Sequence, residues 1–219
     1  MTHLLLLLGL AAAVFLLAAV AQAITGFGSA LVAVPVLAVA VDPVAAVVAA
    51  TAVSLVLSSC VAWREREHVD IGPARTLTVA GIVGMPAGLV LVEVVDESSL
   101  QGWIAAPIAG LTSGALLTST GLNGPPLVMA LVDRETRRFR ATLQAVFAVQ
   151  DVVALAAFAL LGHLSGAAVI LAAGGVLGLP LGWRFGDALF HRIPPARLRP
   201  LVMAGLVLTA GSMLAGALA

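Results

Sequence analysis

Long apolar runs and short charged interruptions alternate along this chain. Residues 4–41, 43–63, 76–92, 98–132, 164–183 and 200–218 contain no Asp, Glu, Lys or Arg, and residues 141–161 contain one, Asp151. A helix crossing the hydrocarbon core needs about 20 apolar residues, whereas a barrel strand needs about 10 of alternating polarity. These runs are too long and too uniform for barrel strands. In lipid every backbone polar group must be satisfied within its own segment, so the runs predict membrane-spanning helices. Ala21-Gln22-Ala23 looks a little like a cleavage site. Yet the run 4–20 is longer than a usual signal-peptide core and no Lys or Arg precedes it, so a retained first helix is expected there.

Two runs exceed one helix, and both carry glycine-rich interruptions. Residues 4–41 are broken at Thr25-Gly26-Phe27-Gly28-Ser29 and again at Pro35; residues 98–132 are broken at Thr120-Gly121-Leu122-Asn123-Gly124-Pro125-Pro126. All eleven basic residues fall in three charged loops, at about 64–75, 134–140 and 184–199. The positive-inside rule places all three in the cytoplasm. Parity then requires residues 98–132 to cross once, with the piece after the break re-entrant or the second half of a broken helix. Residues 4–41 are treated likewise. The expectation is an all-α polytopic integral membrane protein. It has about seven transmembrane helices plus two broken or re-entrant segments, in one transmembrane domain (1–219) built from repeats at 4–100 and 101–219. The repeats are inverted, the N-terminus is cytoplasmic and the C-terminus outside.

A helix broken inside a bilayer exposes unpaired backbone groups that cost several kcal/mol each, roughly, unless they are buried in protein or line a polar cavity. The N-terminus of a half-helix offers free N–H groups and about half a unit of positive charge. Gly28-Ser29 and Gly124-Pro125 stand where such N-termini would form, with Thr25, Gly26, Thr120, Gly121 and Asn123 beside them. Gly/Pro-interrupted segments at matching positions of two halves point to a transporter's binding site. The competing explanation is close helix packing through small residues. Asp151 is a charge at membrane depth, which costs about 3 kcal/mol on insertion scales and marks a pathway or a proton relay. Since an ionised Asp would repel an anion, Asp151 is the candidate proton-coupling group. Gln22, Gln144 and Gln150 are candidates for interhelical hydrogen bonds, and Ser54, Ser58 and Ser59 are weak site candidates because serine bonds readily to its own helix.

Composition narrows the chemistry further. Of 219 residues, 61% are hydrophobic and 10% charged, and the eleven basic and eleven acidic residues cancel. No basic patch suggests nucleic acid as a partner. A lone cysteine, Cys60, excludes an internal disulfide and a multi-cysteine metal site. His68, His163 and His191 share no metal-ligand spacing and read as solvated loop residues, so no metal site is expected. No phosphate-binding loop is present and no histidine falls mid-span, which argues against direct ATP-driven pumping and against an enzyme. Neither a cofactor nor a catalytic residue is expected. Glu65 and Glu67 beside Arg64 and Arg66 read as a solvated ion-pair turn, and Trp63, Trp103 and Trp183 as interfacial anchors.

Four short motifs now stand in order: Gly26-Phe27-Gly28-Ser29 with Val34-Pro35; Ala50-Thr51-Ala52-Val53-Ser54; Thr120-Gly121-Leu122-Asn123-Gly124-Pro125-Pro126-Leu127-Val128; and Phe139-Arg140-Ala141-Thr142. Together they resemble the TauE/SafE family of sulfite exporters, over nearly the whole chain. The resemblance implies a bacterial inner-membrane secondary transporter of small sulfur-containing anions, with both glycine breaks lining the substrate site. Its partners would be the small anion and the lipid bilayer. The chain departs from the family pattern in a shorter first glycine run and in lacking a fourth hydrophobic segment in its first half. A homodimer could supply the missing surface. A partner-dependent, transport-inactive subunit and an anion channel are the alternative functions.

Overall fold

A computed structural model describes residues 2–94, 114, 116–118, 124–131, 134–194 and 200. Its described residues fold into helices joined by short turns. Helix α1 (Thr2–Thr25) leads through a three-residue break into α2 (Ser29–Ala40). Helix α3 (Pro43–Arg64) starts where the Asp42 side chain accepts a hydrogen bond from the Ala45 N–H at 2.8 Å and Pro43 occupies the first turn. A 3-10 turn (Arg66–His68) precedes α4 (Ile71–Val94). Helix α5 (Gly124–Leu131) is short, α6 (Thr136–Leu160) is long, and α7 (Gly166–Phe190) is capped by Ser165, which accepts from the Ala168 N–H at 3.2 Å. Helices α1, α3, α6 and α7 are long and apolar enough to cross a membrane.

Pro35 was expected to break the first segment, but α2 continues through it, as α4 continues through Pro86 and α7 through Pro180. Neighbouring helices in a membrane protein tolerate the one backbone bond each proline removes.

Among the described residues the largest helix contact is the parallel pair α1–α7. Gly174, Gly178, Gly182 and Gly186 lie four residues apart, one per turn, and face the α1 backbone at Leu8, Ala12, Leu16 and Val20 in turn. A Cβ at Gly174 would meet the Leu8 carbonyl at 2.7 Å, and one at Gly186 the Val20 carbonyl at 2.8 Å. Only glycine permits this approach, and close backbone contact is what drives helix association where lipid competes equally for apolar side chains. Phe15 and Val53 close against the next glycine, Gly175.

The ends of α1, α3, α6 and α7 converge on one buried cation. Arg140, 3% exposed, donates to the Ala23 carbonyl at 3.2 Å, to Glu65 at 3.1 Å and to Asp187 at 2.8 Å. Its guanidinium also stacks on Trp183 and Phe190, 4.9 and 4.5 Å from the ring centroids. Arg134 and Arg138 pair with Asp70 alongside, at 3.1 and 3.2 Å. Several expectations are corrected here. Arg137, Arg138 and Arg140 belong to α6 and Arg184 to α7, not to loops. Glu65 pairs across helices with Arg140, not with its neighbours in a solvated turn, because the fold brings the α3 end beneath α6. Trp183 packs on Arg140, while Trp63 is exposed; Trp103 lies outside the described residues.

This charged end fixes the relative directions of the helices. Helices α1, α3 and α7 run toward it, since Ala23, Glu65 and Asp187 all meet Arg140. The Thr2 end of α1 therefore lies at the opposite end of the bundle. Helix α2 returns to that opposite end, where Val41 packs with Val44, Phe158 and Ala168. The segment 4–41 thus goes in and comes back, and does not cross once as parity suggested. The second long segment also reverses. Gly114 lies against Gly81 and the Thr118 hydroxyl donates to the Met85 carbonyl at 3.0 Å, so this stretch runs beside α4 away from the charged end. Helix α5 then runs back toward it, through Leu131 beside Phe139 to Arg134. Each break turns the chain around, which loop charges alone cannot reveal.

Candidate functional site

The first break is made by two glycines in the left-handed region, Gly26 at φ 83° and Gly28 at φ 99°. No L side chain adopts these angles cheaply. The Thr25 hydroxyl holds the turn, 2.8 Å from the Ala21 carbonyl and 2.6 Å from the Phe27 carbonyl, and it accepts from the Phe27 N–H at 3.3 Å. The chain thereby reverses in three residues and α2 begins inside the bundle, with Phe27 and Ser29 buried. No side chain caps that N-terminus. The first helical bond runs from Val32 N–H to the Gly28 carbonyl, so the N–H groups of Ser29, Ala30 and Leu31 have no partner within the helix.

The second break meets the first. Helix α5 starts at Gly124, packed on Phe27 so closely that a Cβ there would lie 2.7 Å from Phe27 Cδ2. From this shared point α2 and α5 run in opposite directions, their N-termini together at the centre of the bundle. Thr120, Gly121 and Asn123 lie outside the described residues, and Pro125 falls in the first turn of α5.

Between the breaks is a small, partly open cavity of about 20 Å³, enough for one or two waters. Gly28, Ser29, Ala30 and Leu31 form one wall, Thr51 and Ser54 of α3 another, and Gly124, Gln22 and Asp151 complete it. Asp151 is wholly buried, and neither carboxylate oxygen has a hydrogen-bond partner among the described residues. Ser54 approaches it without reaching bonding geometry. A buried carboxylate without a partner is costly for folding alone. Its position demands something from the cavity's contents.

A polar network supports the site on the side of the charged end. Gln144 Nε2 donates to the Gly26 carbonyl at 2.9 Å, and Gln22 Nε2 donates to Gln144 Oε1 at 3.1 Å and to Ser58 Oγ at 3.4 Å. Gln22 and Gln144 are the interhelical links expected of them, and Gln22 also lines the cavity. Gln150 donates to the Leu77 carbonyl at 3.2 Å and links α6 to α4. Of the three serines, Ser54 reaches the cavity, Ser58 joins the network and Ser59 is exposed. Phe27 and Thr51 carried no functional weight of their own in the sequence, where they stood only inside glycine- and alanine-rich motifs.

No curated protein and no solved structure matches the chain significantly. The family model described as Sulfite exporter TauE/SafE matches it twice, over residues 11–109 and 101–213. These matches span both glycine breaks and every helix that walls the cavity, and the chain belongs to the TauE/SafE sulfite exporter family, whose members are membrane transporters.

Proposed function

We propose that this protein is a secondary exporter of small sulfur-containing anions, sulfite and simple sulfonates, and that the central cavity is its substrate site. The carrying observation is the uncapped α2 N-terminus and the unpartnered Asp151 together on the lining of one small cavity. Free N–H groups and the helix dipole attract an anion without any cationic side chain. In a low-dielectric site the anion and an ionised Asp151 repel strongly. Asp151 is therefore neutral when the anion is bound, and by linkage the proton and the anion favour each other's binding. That makes Asp151 the coupling group. The space is too small for sulfite as it stands, so admission requires helices to move, as alternating access does. The oppositely directed α2 and α5 support the inverted repeat of 4–100 and 101–219. If the charged end faces the cytoplasm of a bacterial inner membrane, the N-terminus lies outside, opposite to the expectation from loop charges.

Sulfite flux into liposomes, with and without an imposed proton gradient, tests this. Wild type should carry sulfite, Gly124→Leu should abolish flux by filling the junction with Phe27, and Asp151→Asn should make flux indifferent to the gradient. Absence of sulfite and sulfonate flux under every gradient would sink the proposal.

A further inference from the structure

The cavity's hydrogen-bonding capacity is lopsided. Three buried side-chain atoms on its lining residues have no partner among the described residues: Gln22 Oε1, Asp151 Oδ1 and Asp151 Oδ2. All three are acceptors as drawn. The orientation of the Gln22 amide follows from its neighbours. The Gly26 carbonyl can only accept, so Gln144 presents its Nε2 there, at 2.9 Å. Gln144 Oε1 is then left facing Gln22 and must receive a donor, Gln22 Nε2 at 3.1 Å. Flipping Gln22 would set oxygen against oxygen. Its Oε1 is therefore the unmet atom.

No described hydroxyl near the cavity, those of Ser29 and Ser54 on its lining included, bonds to Gln22 Oε1. Thr25 is engaged with the Ala21 and Phe27 carbonyls, and Thr51 donates to the Val47 carbonyl at 2.9 Å. Even when Asp151 carries a proton it adds a single donor, and that donor faces the anion. Gln22 Oε1 still lacks one. Among the described residues the donors on the lining are the hydroxyls of Ser29 and Ser54 and the backbone N–H groups of the α2 first turn. Such a site fits a ligand with two ends: negative oxygens for α2, and a hydrogen-bond donor for the acceptors.

Resting on the anion-site reading above, we propose that the cavity selects sulfur oxyanions that carry a hydrogen-bond donor of their own, and that Gln22 reads that donor. Hydrogensulfite with its O–H and sulfonates bearing an amino or hydroxyl group meet the requirement. A sulfonate with only a methyl group does not. A buried acceptor left unmet by the ligand discriminates far better than a missing methylene, and a loss of roughly tenfold or more in affinity follows.

Sulfamate and methanesulfonate make the cleanest comparison, since both are tetrahedral monoanions and differ by an amino group in place of a methyl. The experiment is thermal protection of the purified full-length protein in detergent, titrated with each anion and with sulfite. Sulfamate should half-saturate at an at least about tenfold lower concentration than methanesulfonate, and Gln22→Met should remove the difference. Equal protection by the two anions overturns the donor rule and leaves the anion site standing. A preference that survives Gln22→Met overturns the assignment to Gln22. Protection by none of the three anions removes the anion site itself. Should Gln22→Met fail to fold, the wild-type comparison alone still decides the donor rule.

Discussion

Glycine does opposite things in the α1–α7 seam and at the two breaks. In the seam, Gly174, Gly178, Gly182 and Gly186 bring two helices into backbone contact. Both helices keep their own hydrogen bonds, apart from the one Pro180 removes from α7, and the interface asks nothing of a ligand. At the breaks, Gly26 and Gly28 use left-handed angles to reverse the chain, and the α2 N–H groups are left open beside an unpartnered carboxylate. Small-residue packing and ligand exposure are rival explanations of any glycine-rich run in a membrane helix, and here both hold, in different places. The discriminating feature is backbone angle: within the seam the glycines are helical, and at the first break they are not.

The comparison breaks most sharply at the seam. Gly182→Leu should destabilise by about 4–5 kcal/mol, beyond ordinary overpacking, because the obstacle is the α1 backbone at Leu16, which cannot rotate away as a side chain does. The expected result is aggregated or unfolded protein by size-exclusion chromatography in detergent. A monodisperse variant with normal thermal stability would show that the helices do not depend on that contact.

Arg140→Met is next. It strips one cation from a site where Glu65 and Asp187 are partly buried, and removing one partner of a buried ion pair costs about 3–5 kcal/mol. About 3 kcal/mol is expected, since Arg137 remains 3.6 Å from Glu65 and can share its charge. Arg140→Lys should recover only part of the loss, because a point charge replaces a planar fork and its stacking on two rings. Melting temperatures of the two variants and wild type check this; an Arg140→Lys protein as stable as wild type would mean that charge alone matters.

Gly28→Ala sharpens the contrast from the other side. A Cβ there has room, with nothing nearer than Leu31 Cδ1 at 3.5 Å, so the penalty is the left-handed backbone, about 1–2 kcal/mol. Sulfite flux should fall more than stability does, because the α2 N–H groups shift. Gly174→Ala, at normal helical angles, should reverse that ranking.

These contrasts explain what the sequence disclosed. Span extents were legible because hydrocarbon thickness dictates run length, and α3 begins at Pro43 as the charge pattern required. Asp151 was legible because any charge inside an apolar run is expensive. The glycine seam was also legible, as four glycines at a spacing of four, but attention went to the denser runs. The reversal at each break was only half legible, since a re-entrant piece and the second half of a broken helix were both open and loop charges could not choose between them. Parity arguments assume that each apolar run crosses, and only φ at Gly26 and Gly28 shows that this one returns. The Arg140 cluster was hidden for a different reason. Its partners stand 47, 75 and 117 residues away in the chain, and nothing local distinguishes a buried arginine at a helix start from a loop arginine.

The smallest effect carries the most information. Asp151 holds two buried oxygens without partners among the described residues, a state that costs about 1–3 kcal/mol for each unmet group in a folded protein. Asn at that position removes the ionisable group, keeps one acceptor and supplies two donors in place of a carboxylate whose oxygens find no partner. Asp151→Asn should therefore stabilise the protein, by about 1 kcal/mol, a rise of roughly 2–4 °C in melting temperature for a chain of this size. The same change should abolish dependence of flux on the proton gradient. A residue retained for packing cannot show that pairing of gained stability with lost coupling, whereas a functional strain does. A drop in melting temperature on Asp151→Asn would mean that the carboxylate already has its partner, and Asp151 would then belong with the structural links, beside Gln150.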